Sequence, residues 1–359
     1  MGSGRALRHG GPTVLASAIV AWDGWNNEIM KISILGGSGF LGRKIADRLA
    51  KNGKLGDRPI TGLTLFDVAE PPKPNAAFPV TTVAGDLVEL PPAAVPPDTD
   101  VIFHLAAVVS AQAEADYELG RRVNLRGTDA VVDACRHLVA TGRKPPRVVF
   151  TSSVASFSRG QDTHLLDDAR QLPANSYGSQ KAAAELILSD ASRRGFLDLV
   201  AIRLPTVIVR PGRPNRAASS FLSAIIREPL LGLPADLPVT DAFTAWICSP
   251  RRAVDWLLHA AAMDTSPMDL DRSVNPPGIS TTIAHLLQAL DDVRPGASAL
   301  VRHVEDKEIA DIVGLWPPAF EAMRARTLDF APHEPVVEVV RAFVEDDLAA
   351  TRMERGLPP

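Results

Sequence analysis

KISILGGSGFLG, residues 31–42, joins a short apolar run to three glycines at intervals of three, Gly36, Gly39 and Gly42. KISILGG reads as a strand that ends in glycine, and GRKIADRLAKNG, which begins at Gly42, reads as a helix stopped by a glycine cap. A Gly-x-x-Gly-x-x-Gly turn is common on its own, but between a strand and a helix it has the context that a dinucleotide-binding loop requires. Gly36 permits the sharp turn, Gly39 lets the backbone approach a pyrophosphate, and Gly42 lets the helix lie close on the sheet. The helix N-terminus then offers unpaired N–H groups and the positive end of its dipole to a diphosphate.

Working outward, LTLFDV, TTVAGDL, DVIFHLAAVV, RVVFTSS and DLVAIRLPTVIV read as further strands. Helical stretches separate the later ones, the longest being ADYELGRRVNLRGTDAVVDACRHLVATG and SYGSQKAAAELILSDASRRG. Near-continuous apolar strands between helices indicate a parallel sheet covered on both faces. The expected fold is therefore α/β, a doubly wound parallel sheet of the Rossmann kind, with a smaller C-terminal substrate lobe. Prolines crowd the chain after Arg210 and the alternation fades there. Residues 30–208 with about 249–276 are expected to form the dinucleotide-binding domain, and 209–248 with 277–359 the substrate-binding lobe. Residues 1–29 carry a weakly basic start and an apolar run shorter than the ~20 residues of a membrane span. They are expected to lie outside the fold, with secretion as the weaker alternative.

Of the 359 residues 46% are hydrophobic, enough for a substantial core. The formal net charge of -4 and the lack of a basic run exclude a nucleic-acid footprint. Two cysteines far apart, Cys135 and Cys248, give neither zinc spacing nor a disulfide framework, so no metal is expected and a cytoplasmic location is.

Asp67 ends the second strand, where an acid can bind an adenine-ribose diol and repel the 2′-phosphate of NADP. NAD is the expected cofactor, although a solvated strand-end acid would look the same and Lys73 stands nearby. Tyr177 and Lys181 are four residues apart and share one helix face. Alone, such a pair fits surface neighbours on an alanine-rich helix as well as it fits a catalytic pair. His104, on an apolar strand end, reads as a packed core histidine rather than a catalyst.

Six motifs in order, GGSGFLG, GDL at 85–87, HLAA at 104–107, NLRGT at 124–128, FTSS at 150–153 and YGSQK at 177–181, change that balance. From Met30 onward the chain resembles the extended branch of the short-chain dehydrogenase/reductase family. The resemblance implies that Ser153, Tyr177 and Lys181 are catalytic. Tyrosine, with a pKa near ~10, is a poor base at neutral pH, and a nearby ammonium is expected to lower it. Lys181 would also hold the nicotinamide ribose, and Ser153 would orient the reacting oxygen. The resemblance further implies cofactor contacts at Phe40, Leu41, Asp86, Leu87, Leu105, Ala106, Ala107, Asn124 and Pro205, and a homodimer paired through helices at about 116–140 and 176–195.

Many members of this branch act on nucleotide sugars, as epimerases or dehydratases that keep NAD bound. Here Thr206 stands where those enzymes commonly carry asparagine, TAWICSPRRAV lacks their Arg-Asp pair, and Val154 and Ala155 replace a dehydratase's acidic pair. Three segments, FHLAAVVSAQAEADYELGRRVN, IRLPTVIVRPGRPNRAASSFLSAIIREPL and SPRRAVDWLLHA, instead look like the D-erythronate dehydrogenase family, which oxidises the 2-hydroxyl of a four-carbon sugar acid to 2-oxo-tetronate. A small hydroxy acid needs a cation for its carboxylate. Arg210, Arg213 and Arg216 are candidates, with Asn215, Ser219 and Ser220 as further donors; Ser110 and Thr206 flank the expected nicotinamide end. Arginines in proline-rich loops are more often solvated, and Arg251 and Arg252 open a helix and suit the surface. A binding module that senses NAD without catalysis is the remaining alternative, disfavoured by the intact Ser153, Tyr177 and Lys181.

Overall fold

A computed structural model of the chain describes residues 29–158, 164–213 and 218–358. Six strands build the centre: β1 (Met30–Leu35), β2 (Arg58–Asp67), β3 (Val80–Ala84), β4 (Val101–His104), β5 (Arg147–Ser153) and β6 (Asp198–Leu204). In space they run β3-β2-β1-β4-β5-β6, with the short strand Ser273–Val274 beside β6, and all of these neighbours are parallel. Lys54–Leu55 adds an antiparallel pairing at the start of β2. This is the doubly wound order read from the sequence. Strand order reverses at β1, whose last residue Leu35 pairs with Phe66 of β2 on one side and His104 of β4 on the other. Ligands of such sheets bind in the crevice outside the strands' carboxyl ends at this switch.

The strands are apolar throughout because both faces are covered. Val149 of β5 points to a core shared with Ile45 and Leu49 of the helix Phe40–Asn52 and with Val254, Trp256 and Leu257 of the helix Pro250–Ala262. Its neighbours Val148 and Phe150 point the other way, to Val131 and Leu138 of the helix Gly127–Ala140 and Ala184 and Leu188 of the helix Ser176–Arg193. Each large side chain so buried contributes roughly 1.5–3 kcal/mol before the entropy of ordering is charged against it.

Two expected elements are broken. DLVAIRLPTVIV is not one strand: it ends at Leu204, because Pro205 has no N–H to continue the ladder. Thr206–Val207 then pairs in a separate three-stranded sheet with Thr244–Cys248, which is itself paired to Ile279–Thr282. The long helix expected from residue 115 is preceded by a separate helix Ser110–Ala115 and restarts at Tyr117, where Asp116 accepts from the Leu119 N–H at 2.9 Å. It widens to π spacing over Arg122–Arg126 before Gly127–Ala140.

A second core joins Ile208, Val209, Phe221 and Ile225 to Ile283, Leu286, Val339 and Phe343. The chain closes on the helix Leu348–Glu354, tied to the helix Phe40–Asn52 by an ion pair of Lys44 with Asp347 at 2.8 Å. The expectation of an extension at 1–29 falls almost wholly on residues 1–28, which lie outside the described residues. Among the described residues no helix is long and apolar enough to cross a membrane.

Candidate active site

The glycine turn is built around backbone approach. Gly36, at φ 102°, and Gly37 both donate to the Phe66 carbonyl, at 2.8 and 2.9 Å. A Cβ at Gly36 would come within 2.8 Å of the Ala106 nitrogen, and one at Gly42 would strike the Gly36 carbonyl oxygen. The helix Phe40–Asn52 begins at Gly39 with no side-chain cap and no acidic residue in its first turn. Its free N–H groups are thus left for an anion. Asp67 accepts from the Ser38 N–H at 2.9 Å and the Val68 N–H at 2.7 Å, which locks the acid against the turn.

A cleft of about 870 Å³ opens at this turn. The loop residues Gly36, Gly39, Phe40, Leu41 and Gly42 line it, as do Asp67, Asp86 and Leu87 on the strands' carboxyl side. Leu105, Ala106 and Ala107 follow β4 along it, and Ser153, Tyr177, Pro205, Arg210, Arg213 and Ser220 line it as well. Asp86 is held by the Val88 N–H, which keeps its carboxyl below the usual range, and by Arg122. Ser110, Thr206 and Ser219 line instead a recess of about 70 Å³, which shares Ser153, Tyr177, Pro205 and Arg210 with the cleft. Asn215 and Arg216 lie outside the described residues.

Two expected cofactor residues stand behind the cleft wall. Asn124 is buried, with its carbonyl accepting from the Val108 N–H at 2.8 Å and its amide donating to Val108 O at 3.1 Å and Gln180 Oε1 at 2.7 Å. It therefore holds the segment that follows β4. Lys181 is 2% exposed. Its Nζ donates to the Thr151 carbonyl at 2.7 Å and lies 4.6 Å from the Phe150 ring centroid and 5.7 Å from that of Tyr177.

Local sequence explains how Tyr177 meets Ser153. Asn175 caps the helix Ser176–Arg193 by accepting from the Gly178 N–H at 2.8 Å. Gly178 lets that first turn rest on the loop after β5, since a Cβ there would strike the Ala155 carbonyl. The Ser153 hydroxyl faces the Tyr177 phenol and favours its ionised form. Ser153 Oγ in turn accepts from the Ala155 N–H at 3.1 Å.

The electrostatics differ from the expected pairing. Desolvation raises the Tyr177 pKa, opposed by the charge of Arg210 and then by the Ser153 hydroxyl. Desolvation lowers Lys181 to about 7, with Glu185 opposing it. The cation that favours the phenolate is Arg210, and desolvation lowers the pKa of that guanidinium too. Among the described residues no carboxylate pairs with Arg210. Its backbone is fixed by the Ser223 hydroxyl at 3.1 Å and by Arg227, which donates to its carbonyl at 2.8 Å. His104 is buried, hydrogen-bonded to Thr128 at 3.0 Å and held neutral by desolvation at about 3, in keeping with a core role.

Three site residues escaped the sequence reading. Arg227 lines the cleft while only 1% exposed. Glu185 binds Arg203 of β6 at 2.8 Å, Ser273 at 3.1 Å and Ser152, and so braces the helix that carries Lys181 against the sheet. Trp316 lines the recess. Tyr177, Lys181 and Glu185 stand at successive i, i+4 positions, a spacing visible in the sequence; nothing local marks Arg227 or Trp316.

Known proteins resemble this chain in sequence and fold. The family model "NAD dependent epimerase/dehydratase family" matches residues 32–246. D-erythronate dehydrogenase of Cupriavidus necator is 45% identical, with 88% of this chain and 98% of that protein aligned. The enzyme of the same name from Haemophilus influenzae is 36% identical over 89% of this chain and its full length. The crystal structure of a protein named nucleoside-diphosphate-sugar epimerase from Agrobacterium tumefaciens superposes with a TM-score of 0.85 at 42% identity, covering 91% of this chain and 97% of that one. L-Threonine 3-dehydrogenase of Trypanosoma brucei, at 19% identity and a TM-score of 0.75, covers 91% of this chain and 98% of its own and shares the fold. With its glycine turn, the cleft beside it and a family model matched over residues 32–246, this chain belongs to the NAD-dependent epimerase/dehydratase family.

Proposed function

We propose that the chain is an NAD-dependent dehydrogenase that oxidises the 2-hydroxyl of a four-carbon sugar acid, D-erythronate, to 2-oxo-tetronate. The observation that carries this reading is Tyr177 placed between a hydroxyl, Ser153, and a guanidinium, Arg210, that has no carboxylate partner among the described residues, at the mouth of a small recess. A hydroxy acid presents an alcohol beside a carboxylate, and these three side chains complement both groups. The two D-erythronate dehydrogenases support the substrate class.

Bound NAD supplies the hydride acceptor. Ser153 orients the substrate hydroxyl by hydrogen bonding, Tyr177 takes its proton, and Arg210 holds the carboxylate through planar paired donors. Arg210 also stabilises the phenolate that must form before the proton can be taken. Lys181, whose Nζ donates to the Thr151 carbonyl behind Tyr177, would hold the nicotinamide ribose when NAD is bound. The dinucleotide fits the glycine turn, where the uncapped helix start takes the diphosphate. Asp67 favours NAD over NADP because its carboxylate repels a 2′-phosphate. In this division of labour residues 30–208 with about 249–276 hold the dinucleotide, and 209–248 with 277–359 shape the substrate site. Two free, buried cysteines fit a reducing cytoplasm. Leu186, 71% exposed, and Tyr117, 54% exposed, leave apolar surface on the two helices through which a homodimer would pair.

The second reading is a nucleotide-sugar epimerase, favoured by the name of the Agrobacterium structure. The recess of about 70 Å³ beside Tyr177 argues against a hexose there. Purified protein with NAD and D-erythronate should generate NADH absorbance, and Tyr177→Phe should abolish it while sparing NAD binding. No NADH from D-erythronate, together with interconversion of a UDP-sugar without net NADH, would establish the epimerase instead.

A further inference from the structure

We propose that the C-terminal helix Leu348–Glu354 is a brace that fixes the Arg210 loop relative to the dinucleotide half of the cleft, with Lys44 and Arg355 as positioning residues at its two ends; its effect on substrate rests on the function proposed above. Arg210 stands on an irregular segment, 208–213, not on a strand or helix. A guanidinium so placed meets a carboxylate in register only when other groups hold its backbone. Ser223 and Arg227 hold one end of that segment, at Arg210 itself. The C-terminal helix holds the other.

Thr351, 1% exposed, accepts a long hydrogen bond from the Gly212 N–H at 3.5 Å, and Arg355 donates to the Gly212 carbonyl at 3.5 Å. Gly212, at φ 79°, lies so close to the helix that a Cβ there would come within 3.3 Å of the Glu354 carboxylate. Arg355 also meets both oxygens of Glu228, at 3.2 and 3.0 Å, and Glu228 holds the Arg227 that donates to the Arg210 carbonyl. At its start the same helix is tied to the dinucleotide half. Asp347, whose carbonyl accepts from the Thr351 N–H at 2.9 Å, binds Lys44 at 2.8 Å, and the two side chains are only 13% and 20% exposed. Lys44 lies one turn beyond Phe40 on the helix that follows the glycine turn, with Nζ 5.5 Å from the Phe40 ring centroid. Phe40, Gly212 and Glu354 line the cleft, whereas Lys44 stands outside its lining. From Asp347 to Arg355 the chain rises about 12 Å as helix, which joins the two halves by a rigid element with a partly buried ion pair at each end. Lys44, on the cofactor side and away from the cleft, should therefore act on sugar-acid affinity.

Lys44→Met removes the ammonium, and Lys44→Arg keeps a cation for Asp347. At saturating NAD the KM for D-erythronate should rise about 2- to 30-fold in Lys44→Met, with kcat less affected, and Lys44→Arg should restore it. In the dinucleotide-free protein, amide hydrogen exchange at 208–213 should be faster in Lys44→Met than in wild type, with exchange in β6 unchanged. Affinity for ADP-ribose, measured by calorimetry, should also be unchanged. Wild-type exchange at 208–213 in the methionine variant overturns the brace, and so does exchange that quickens equally in β6, which marks general loosening. A weakened ADP-ribose affinity with KM for the sugar acid unchanged overturns it too, because Lys44 would then act through Phe40. Faster exchange confined to 208–213, together with a wild type inactive on D-erythronate, supports the brace and overturns the substrate reading.

Discussion

Arg210 and Tyr177 line the same recess, and the guanidinium charge favours the phenolate there, whereas the Lys181 ammonium is tied to the Thr151 carbonyl at 2.7 Å. Under the proposed function one arginine would serve two ends, complementing the substrate carboxylate and offsetting the desolvation of the phenol. Lysine as the phenol's partner, the expectation from the sequence, accounts for less of the electrostatics than its spacing suggests.

Replacing Arg210 separates those ends. Its charge lowers the Tyr177 pKa, so Arg210→Met should raise it and move the acid limb of the kcat/KM profile to higher pH. Loss of a charge-assisted carboxylate contact, roughly 2–3 kcal/mol, should raise the KM for the sugar acid about 30- to 160-fold. Arg210→Lys keeps the charge without the planar fork, so its acid limb should stay close to wild type while KM still rises. Identical pH profiles for the methionine variant and wild type would remove Arg210 from the tuning of Tyr177.

Lys181 makes a prediction about stability rather than rate. Burial lowers its pKa from the usual 10.5 to about 7, so between those values the unfolded chain binds the additional proton. Stability from this group therefore rises with pH across that window, and its cost is fully present below about 7. In the dinucleotide-free protein the Tm of Lys181→Met relative to wild type should be highest near pH 6 and should fall steadily toward pH 10. Loss of the bond to Thr151 adds an offset that does not vary with pH. A Tm difference constant from pH 6 to 10 would show that Lys181 keeps its ordinary pKa in the fold.

These two residues also mark what was legible in the sequence. The glycine turn, the parallel strands, and the Ser153, Tyr177 and Lys181 set are local patterns whose period and spacing survive in one dimension. Thr206 and Pro205 were legible as site positions, but the strand break between them was masked by the apolar run on both sides. Arg227 and Trp316 were not legible, because their roles come from packing against segments far away in the chain. Asn124 was read as a cofactor residue from its motif; that its amide is engaged with Val108 and Gln180 depends on the π-spaced turn, which apolar periodicity does not signal.

Asp67 sets the cofactor preference under the proposed function. Its carboxylate is anchored by the Ser38 and Val68 N–H groups, so it cannot swing away from a 2′-phosphate without giving up both bonds. Asp67→Asn keeps an acceptor and removes the charge. The ratio of kcat/KM for NAD to that for NADP should fall about 5- to 30-fold, consistent with removal of roughly 1–2 kcal/mol of repulsion across partly screened space. An unchanged ratio, with both activities measurable, would assign the preference elsewhere.

Glu228 supports the substrate side from behind. It pairs with the buried Arg227 at 2.9 Å and takes Arg355 of the C-terminal segment at 3.0 Å, while Arg227 donates to the Arg210 carbonyl at 2.8 Å. Glu228→Gln keeps the shape and leaves two guanidinium groups without this carboxylate. Breaking one side of a buried ion pair typically costs about 3–5 kcal/mol, because the remaining charge stays desolvated. The urea midpoint should fall markedly, and the KM for the sugar acid should rise as the Arg210 backbone loosens, with NAD affinity close to wild type because the glycine turn is not involved. Glu228→Gln with a wild-type midpoint would mean that Arg227 finds its compensation elsewhere, and a raised KM without destabilisation would point to direct substrate contact by the pair.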